Sequence, residues 1–234
     1  LLHGLAASLL TWYCNIYVTA DAGYRVLAPD MPGYGDTDKP SHLDYDPVSA
    51  ADFVYDLSQV LGLEKFSLVG SSGGGLVSGL FALEHPEMVE KLVLVGSGGF
   101  GREVSWFLRL ISLPVVGELV YQPRLNNRMG ITKYLFYRPP AILKELLPEM
   151  ERVKLLPGAR AAMLRSVRTS VNIWGLRKQG FILERLKDSE VPMMTVWGAE
   201  DIIIPVSHAD NVRRELPGSV VRVIPECGHW PQME

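Results

Sequence analysis

The chain has 234 residues, of which 47% are hydrophobic and 21% are charged, and its formal net charge is −3. This composition is typical of a folded globular protein and excludes an intrinsically disordered chain. No basic block is present that would bind a phosphate backbone, so we expect no nucleic-acid partner. The most apolar stretch, residues 105–121, is interrupted by Arg109 and Glu118, so we expect no membrane span.

The cysteine content bears on the cellular compartment of the protein, and the two ends bear on whether the chain is trimmed. Cys14 and Cys227 are too few for a disulfide framework, which is typical of a reducing compartment, and we expect a cytoplasmic protein. Residues 1–4 have the pattern of the last residues of a strand, and residues 231–234 end without a closing element. We therefore expect a chain that is trimmed at both ends.

Short apolar runs alternate with helical patterns along the chain, which is typical of βαβ units around a parallel sheet. Most of these runs are continuously apolar, as expected of strands that helices cover on both faces. The predicted strands are residues 24–29, 66–70, 91–95, 193–197 and 220–224.

Two helices are predicted on either side of the second strand. The first begins at the capping residue Asp46, which Pro47 follows, and ends near Gly62. Its apolar positions at helical spacing are Phe53, Leu57, Val60 and Leu61. The second helix ends before Pro86, and its apolar positions are Leu76, Leu80 and Leu83.

Residues 102–189 contain amphipathic helical stretches and no convincing strand, and the strand pattern then resumes. A helical block between two strands of one sheet is best interpreted as a lid over the carboxyl edge, where open α/β sheets bind ligands. The sequence therefore predicts an α/β fold with a mostly parallel, doubly wound sheet and an inserted helical lid. Its parts are a first core region, residues 1–101, the lid, residues 102–189, and a second core region, residues 190–234.

The sharpest local pattern is Gly70-Ser71-Ser72-Gly73-Gly74, which fits G-x-S-x-G with Ser72 at its centre. A nucleophile on a strand-to-helix turn has a strained backbone, and glycines two positions before and after it relieve the crowding. A predicted strand precedes this segment and a predicted helix follows it, as such a turn requires. Ser71 does not fit the pattern, because Val69 stands where its first glycine would be. An ordinary Gly/Ser turn is the alternative.

A serine hydroxyl needs a base to take its proton, and the base needs an acid to orient it. His229 follows the last predicted strand, so we expect it at the same edge of the sheet as Ser72. Asp201 follows the preceding strand in the same way, and Glu200 is the competing acid one residue before it.

The chain resembles the α/β-hydrolase family over essentially its whole length. The resemblance rests on segments in family order, which are residues 3–4, 30–35, 70–74, 197–201 and 228–230. It implies that Ser72 is the nucleophile, His229 the general base and acid, and Asp201 the orienting carboxylate. It also implies an oxyanion hole made by the backbone N–H groups of Leu5 and Gly73.

Residues 96–101, Gly-Ser-Gly-Gly-Phe-Gly, match the dinucleotide pattern G-x-G-x-x-G after a strand. The acid that binds the ribose should end a second parallel strand, whereas the nearest candidate, Glu118, lies in the predicted helical block. We therefore interpret these glycines as the hinge into the lid. No Walker lysine and no His/Cys/Asp cluster with metal-ligand spacing is present, so we expect no cofactor and no metal.

The other four histidines are predicted to have no chemical role. His3 is expected to be a structural histidine under the first loop. His42, His85 and His208 are expected in polar loops or at helix ends.

The resemblance implies a cofactor-independent serine hydrolase that cleaves a carboxylic ester or a related acyl compound. One alternative is a carbon–carbon bond hydrolase of ring-cleavage products. Residues 12–15 and 22–26 of this chain resemble those enzymes, but they have a glycine-rich segment after His-Gly that this chain lacks. Another is a ligand-binding receptor that keeps the hydrolase fold. We expect a small apolar acyl or aryl substrate, because some apolar lid residues can line its pocket; examples are Trp106, Phe107, Leu110, Tyr134, Phe136 and Trp174.

Overall fold

The computed structural model describes residues 1–128 and 130–234. In chain order its strands are β1 (Phe66–Ser71), β2 (Val89–Val95), β3 (Val171–Asn172), β4 (Gly175–Leu176), β5 (Met193–Gly198) and β6 (Val220–Ile224). Four of them form a parallel sheet in the order β1-β2-β5-β6, while β3 and β4 pair as a short antiparallel hairpin. The predicted α/β fold with a mostly parallel sheet is confirmed.

The helices connect the strands and cover the sheet. In chain order they are α1 (Tyr13–Asp21), α2 (Pro47–Val60), α3 (Gly73–Glu84), α4 (Trp106–Ile111), α5 (Val116–Val120), α6 (Pro123–Arg128), α7 (Leu143–Lys154), α8 (Ala159–Ser170) and α9 (Ser207–Glu215). α3 packs on β1, β2 and α2, and its residues from Gly74 to Ala82 are all buried. Within the described residues, no helix combines the length and apolarity needed to cross a membrane.

α2 begins where the sequence predicts it, but its predicted apolar face is only partly buried, with Phe53 and Leu57 half-buried. The Asp46 carboxylate caps the helix by accepting hydrogen bonds from the nitrogens of Val48 and Ser49, at 2.9 and 3.1 Å. The predicted face included Val60, which is 84% exposed. The fully buried positions include Ala51, Val54 and Ser58. α2 packs on α3.

The predicted strand at residues 24–29 is wrong. Within the described part of the chain these residues form no strand, and the Leu1 nitrogen donates a hydrogen bond to the Leu27 carbonyl. A strand requires successive hydrogen bonds to a neighbouring strand, and apolar residues alone do not supply that partner. Leu2 makes one isolated parallel bridge to Gly70 at the edge of β1.

Residues 102–189 contain α4 to α8 and also the β3–β4 hairpin, which the prediction of a purely helical block missed. Gly175 makes this hairpin possible, because its φ is +116° and a side chain there would overlap the Arg102 carbonyl. Two apolar stripes on the helices of this region are buried: Leu143, Leu146 and Met150 on α7, and Met163, Val167 and Val171 on and after α8. α7 packs in a small cluster with Ala7, Phe136 and Trp230.

Candidate active site

Ser72 occupies the turn between β1 and α3 with a strained backbone. Its φ is +55° and its ψ is −118°, a conformation that costs a non-glycine residue about 1–3 kcal/mol. Hydrogen bonds hold the turn in place. The Ser72 nitrogen donates to the Val95 carbonyl at 2.8 Å, and the Ser72 carbonyl accepts from the nitrogens of Leu76 and Gly98 at 3.2 and 3.3 Å.

The glycines around Ser72 are required by close backbone contacts. A side chain on Gly70 would overlap the Gly74 carbonyl, and a side chain on Gly74 would overlap the backbone carbonyls of Leu2 and His3. From the facing loop, a side-chain carbon on Gly4 would lie 2.8 Å from the Ser72 Cβ. These positions admit only hydrogen, as the G-x-S-x-G pattern predicts for a nucleophile turn.

Asp201 and His229 come together at the carboxyl ends of β5 and β6. Asp201 Oδ2 lies 2.8 Å from His229 Nδ1, and both side chains are almost completely buried. Asp201 Oδ1 accepts hydrogen bonds from the nitrogens of Ile203 and Ile204, at 2.8 and 3.0 Å. The carboxylate therefore has a fixed orientation and accepts the Nδ1 proton, which leaves His229 Nε2 as the free ring nitrogen. The competing acid, Glu200, is exposed at the surface.

The loop that carries His229 is attached to residues 102–189. The His229 nitrogen donates to the Leu135 carbonyl at 2.7 Å, and the Trp230 ring meets the Phe136 ring edge to face at 5.5 Å between centroids. A side-chain carbon on Gly228 would lie 2.5 Å from the same Leu135 carbonyl. The position of the histidine thus depends on this packing as well as on Asp201.

The two predicted oxyanion donors lie next to each other beside Ser72. Gly73 is the first residue of α3, so its N–H has no acceptor within the helix. A side-chain carbon on Gly73 would lie 3.5 Å from the Leu5 nitrogen. Within the described residues, neither N–H donates to a backbone carbonyl. The structure therefore brings together Ser72, Leu5 and Gly73 on one side, and Asp201 with His229 on the other.

Two cavities share Ser72 as part of their walls. The large cavity has a volume of about 420 Å³ and is lined mostly by apolar side chains, including Leu76, Val77 and Leu176. The small cavity has a volume of about 130 Å³ and is lined by both Ser72 and His229. Gly4, Leu5 and Leu108 line both cavities. A molecule bound across Ser72 would therefore place one part in each cavity.

The small cavity also carries polar side chains that the sequence analysis did not single out. They are Tyr121, Asn126, Asn127, Thr132 and Lys154. The sequence does contain a pattern that could have indicated Lys154. It lies four residues after Met150, so on a helix it falls on the same face as the apolar residues of α7. Of the predicted apolar lining residues, Phe107 lines the small cavity, whereas Trp106, Tyr134 and Trp174 are 71%, 67% and 71% exposed.

The comparison with known families agrees with this geometry. A family model described as alpha/beta hydrolase fold matches residues 1–234. The chain belongs to the alpha/beta hydrolase fold family.

Several proteins of this family are similar to the chain. An uncharacterized Mycobacterium tuberculosis protein is 32% identical over 99% of this chain and 69% of its own length. A 2-hydroxy-6-oxononadienedioate/2-hydroxy-6-oxononatrienedioate hydrolase of Comamonas testosteroni is 28% identical over 100% of this chain and 82% of its own length. The crystal structure of a bacterial membrane phospholipase A is 26% identical and covers 100% of this chain and 72% of its own, with a TM-score of 0.79.

Two other histidines are buried in this member of the family. His3 accepts a hydrogen bond from the Met31 nitrogen at 2.9 Å, in agreement with the predicted structural role, and burial lowers its pKa. His208 lies at a helix end, in the first turn of α9, as expected, but its ring is buried and packs against Trp197. Burial lowers the pKa of His208 as well. Its Nε2 lies 3.3 Å from Glu103 Oε2.

The glycines at residues 96–101 contact the candidate site. The Gly98 nitrogen donates to the Ser72 carbonyl, and a side-chain carbon on Gly96 would lie 3.3 Å from Asp201 Oδ2. Glu118, which the sequence analysis considered as a ribose-binding acid, forms an ion pair with Arg168 at 2.6 Å, and this pairing lowers the pKa of Glu118 to about 2. Within the described part of the chain, no three side chains of the metal-binding types lie close enough together to hold an ion.

Proposed function

We propose that the protein is a serine hydrolase in which Ser72 is the nucleophile, His229 the general base and acid, and Asp201 the acid that orients His229. The observation that carries the proposal is the buried 2.8 Å hydrogen bond between Asp201 and His229, beside a cavity that His229 and Ser72 both line. We further propose that residues 102–189 form the lid, since Leu135 and Phe136 contact the loop of His229.

The geometry supports the following reaction. Ser72 Oγ adds to a carbonyl carbon while His229 Nε2 takes the hydroxyl proton, and the N–H groups of Leu5 and Gly73 bind the resulting oxyanion. The bond to the leaving group then breaks, and the leaving atom receives that proton from His229. Water, deprotonated by His229, then adds to the acyl carbon; the bond to Ser72 Oγ breaks, His229 returns the proton to that oxygen, and the carboxylic acid is released.

We infer that the bond cleaved is a carbon–carbon bond next to a ketone in an oxo acid. Support comes from the relative of Comamonas testosteroni, whose name states such a substrate and which aligns over the whole chain. The two cavities that meet at Ser72 fit a substrate with two chemically different halves. A leaving carbon needs a conjugated carbonyl to hold its electron pair before it is protonated, and an oxo-dienoate in its keto form supplies one.

Hydrolysis of a carboxylic ester is the second candidate. The large cavity is mostly apolar and accommodates an acyl chain, and the similar solved structure is that of a phospholipase A. The steps at Ser72 and His229 are the same for an ester, but the leaving atom is an oxygen, which does not need the keto form that a leaving carbon requires. The nature of the substrate therefore decides between the two candidates.

Covalent labelling by a fluorophosphonate tests the nucleophile. We expect mass spectrometry to find one label, on Ser72, in the wild-type protein, and no label in Ser72→Ala. Ser71→Ala is the matched control, because it removes the neighbouring hydroxyl and should keep the label. A folded wild-type protein that is not labelled would contradict a catalytic serine and would favour the ligand-binding receptor.

Two substrates test whether the leaving atom is a carbon or an ester oxygen. We expect 2-hydroxy-6-oxo-6-phenylhexa-2,4-dienoate to lose its visible absorption in the presence of the wild-type protein and to give a benzoate product. Ser72→Ala should abolish this loss. Turnover of 4-nitrophenyl butyrate without turnover of the dienoate would reject carbon–carbon cleavage in favour of ester hydrolysis.

A further inference from the structure

One carboxylate that the proposed reaction does not use joins the loop of the proposed general base to residues 135–138. Oε2 of Glu234 accepts hydrogen bonds from the backbone nitrogens of Gly228 and Tyr137, at 2.7 and 3.2 Å. Its Oε1 accepts a hydrogen bond from the backbone nitrogen of Arg138. Three N–H groups from two distant segments therefore converge on a single side chain. Hydrogen bonds to an ionised acceptor are roughly twice as strong as those between neutral groups.

Local structure places the Glu234 side chain beside Gly228. The backbone nitrogens of Met233 and Glu234 both donate to the Trp230 carbonyl, at 2.9 and 3.2 Å, which closes a turn. Met233 is buried in the cluster that contains Phe136 and Trp230, so packed side chains anchor this turn. The fold itself therefore positions the carboxylate, although Glu234 lies at the surface.

The segments that this carboxylate joins also form part of the candidate active site. Leu135, His229 and Trp230 line the small cavity. Gly228 directly precedes His229, and a side-chain carbon on Gly228 would lie 2.5–2.8 Å from backbone atoms of residues 135–137. The two segments are therefore in close backbone contact. A movement of either one would displace the imidazole or the wall of the cavity.

A second contact between the same segments is a surface ion pair. Arg138 Nη2 lies 3.0 Å from Glu226 Oε1, and both side chains are mostly exposed. Exposed ion pairs of this kind contribute little, because solvent screens the two charges. Glu226 therefore supplies a second carboxylate on the same loop that we expect to matter little, which makes it a matched control for Glu234.

We propose that Glu234 is a positioning residue, which fixes His229 by holding the backbone of Gly228 against residues 135–138. The inference rests on the proposed hydrolysis at Ser72 and deepens it. Glu234 acts through the backbone and takes no part in the proton transfers. Its ionised form has acceptors for all three N–H groups, whereas an amide would turn its own N–H groups toward a backbone donor. A misplacement of about 1 Å in a reacting group can lower a rate by about 10²-fold.

The rate of fluorophosphonate labelling tests this positioning, because the reaction needs only the nucleophile, the base and the oxyanion donors. We would compare the wild-type protein, Glu234→Gln and Glu226→Gln under conditions in which urea unfolding shows all three to be folded. We expect the maximal rate of labelling in Glu234→Gln to fall about 10- to 100-fold, with the half-saturating concentration changed less. Glu226→Gln should keep a rate within about twofold of the wild-type rate. A wild-type rate in Glu234→Gln, or equal losses in both variants, would reject the positioning role.

Hydrogen exchange measured by mass spectrometry separates this inference from the proposed reaction. We expect Glu234→Gln to increase exchange in peptides that cover residues 135–138 and 226–229, and to leave β1, β2 and α3 unchanged, since the lost hydrogen bonds are local. If exchange rises in both segments but the wild-type protein is not labelled, the catalytic serine is rejected, whereas the attachment of the loop by Glu234 stands. If exchange rises throughout the chain, or in neither segment, the positioning role is rejected.

Discussion

The carboxylate of Asp201 and the imidazole of His229 form a buried hydrogen bond of 2.8 Å, although the two residues lie 28 positions apart in the chain. β5 and β6 are adjacent parallel strands, so the loops after them open at the same edge of the sheet. The second carboxylate oxygen is held by two backbone N–H groups, which fixes the acid before any ligand binds. His229 is therefore oriented by the fold itself.

Replacement of Asp201 tests this orientation. Asp201→Asn keeps the size of the side chain but replaces an oxygen acceptor by an amide, which favours the wrong histidine tautomer. We expect kcat to fall by about 10⁴-fold, the loss found when the acid of a serine triad is changed in this way. Glu200→Gln is the matched control one residue away, and it should leave kcat within about twofold, since most surface substitutions have small effects. Equal losses in the two variants would contradict the assignment of Asp201.

The close packing of the nucleophile turn gives a prediction for stability. In Gly74→Ala, the new methyl group would overlap the backbone carbonyls of Leu2 and His3, which cannot move without displacing the loop of Leu5. We expect the free energy of unfolding to fall by about 1–3 kcal/mol or more, together with activity. Gly218→Ala is the control, because no atom lies within 4 Å of the added carbon. Urea unfolding measures the free energy of unfolding of both variants. Similar values for Gly74→Ala and Gly218→Ala would show that the turn tolerates a side chain.

The buried histidines make stability depend on pH. Burial lowers the pKa of His3 and of His208 in the folded protein, while histidines of the unfolded chain titrate near about 6.5. Below that pH the unfolded chain binds protons that the folded protein does not, so the free energy of unfolding should fall as the pH decreases. The charged groups that face these rings, Asp30 for His3 and Glu103 and Asp201 for His208, oppose the effect but do not reverse it.

Urea unfolding at several pH values between about 8 and about 5 checks this direction. We expect His208→Gln to reduce the dependence on pH and His42→Gln, at an exposed position, to leave it unchanged. A free energy of unfolding that rises on acidification would contradict the direction assigned to both pKa shifts.

Lys154 should reduce the stability of the protein in the absence of a ligand. Its pKa is lowered in the folded state, so folding holds a charged ammonium in a poorly solvated place at neutral pH. We therefore expect Lys154→Met to raise the melting temperature by roughly 2–4 °C, which corresponds to about 1 kcal/mol in a chain of this size. Lys144→Met, at an exposed position of α7, should have no such effect. A lower melting temperature in Lys154→Met would indicate that the lysine stabilises the fold.

Much of the site was predictable because it depends on local sequence. Gly70 and Gly74 are required by a turn that spans only a few residues, and the strand before Ser72 and the helix after it follow from short apolar patterns. The rule that loops after parallel strands share one edge then placed His229 and Asp201 near Ser72. The sequence alone also distinguished Ser72 from Ser71 by the spacing of the glycines.

Only the tertiary structure decided which side chains surround the candidate nucleophile and which helix faces are buried. Lys154 and Thr132 are 22 positions apart, and both are far from Ser72 in the chain, so no local pattern joins them in one cavity. Val60 is exposed for a similar reason, since the segments that pack on α2 cover other positions of the helix, which include Ala51 and Val54. Local patterns determine where a strand, a turn or a helix forms, whereas packing between distant segments determines what their side chains meet.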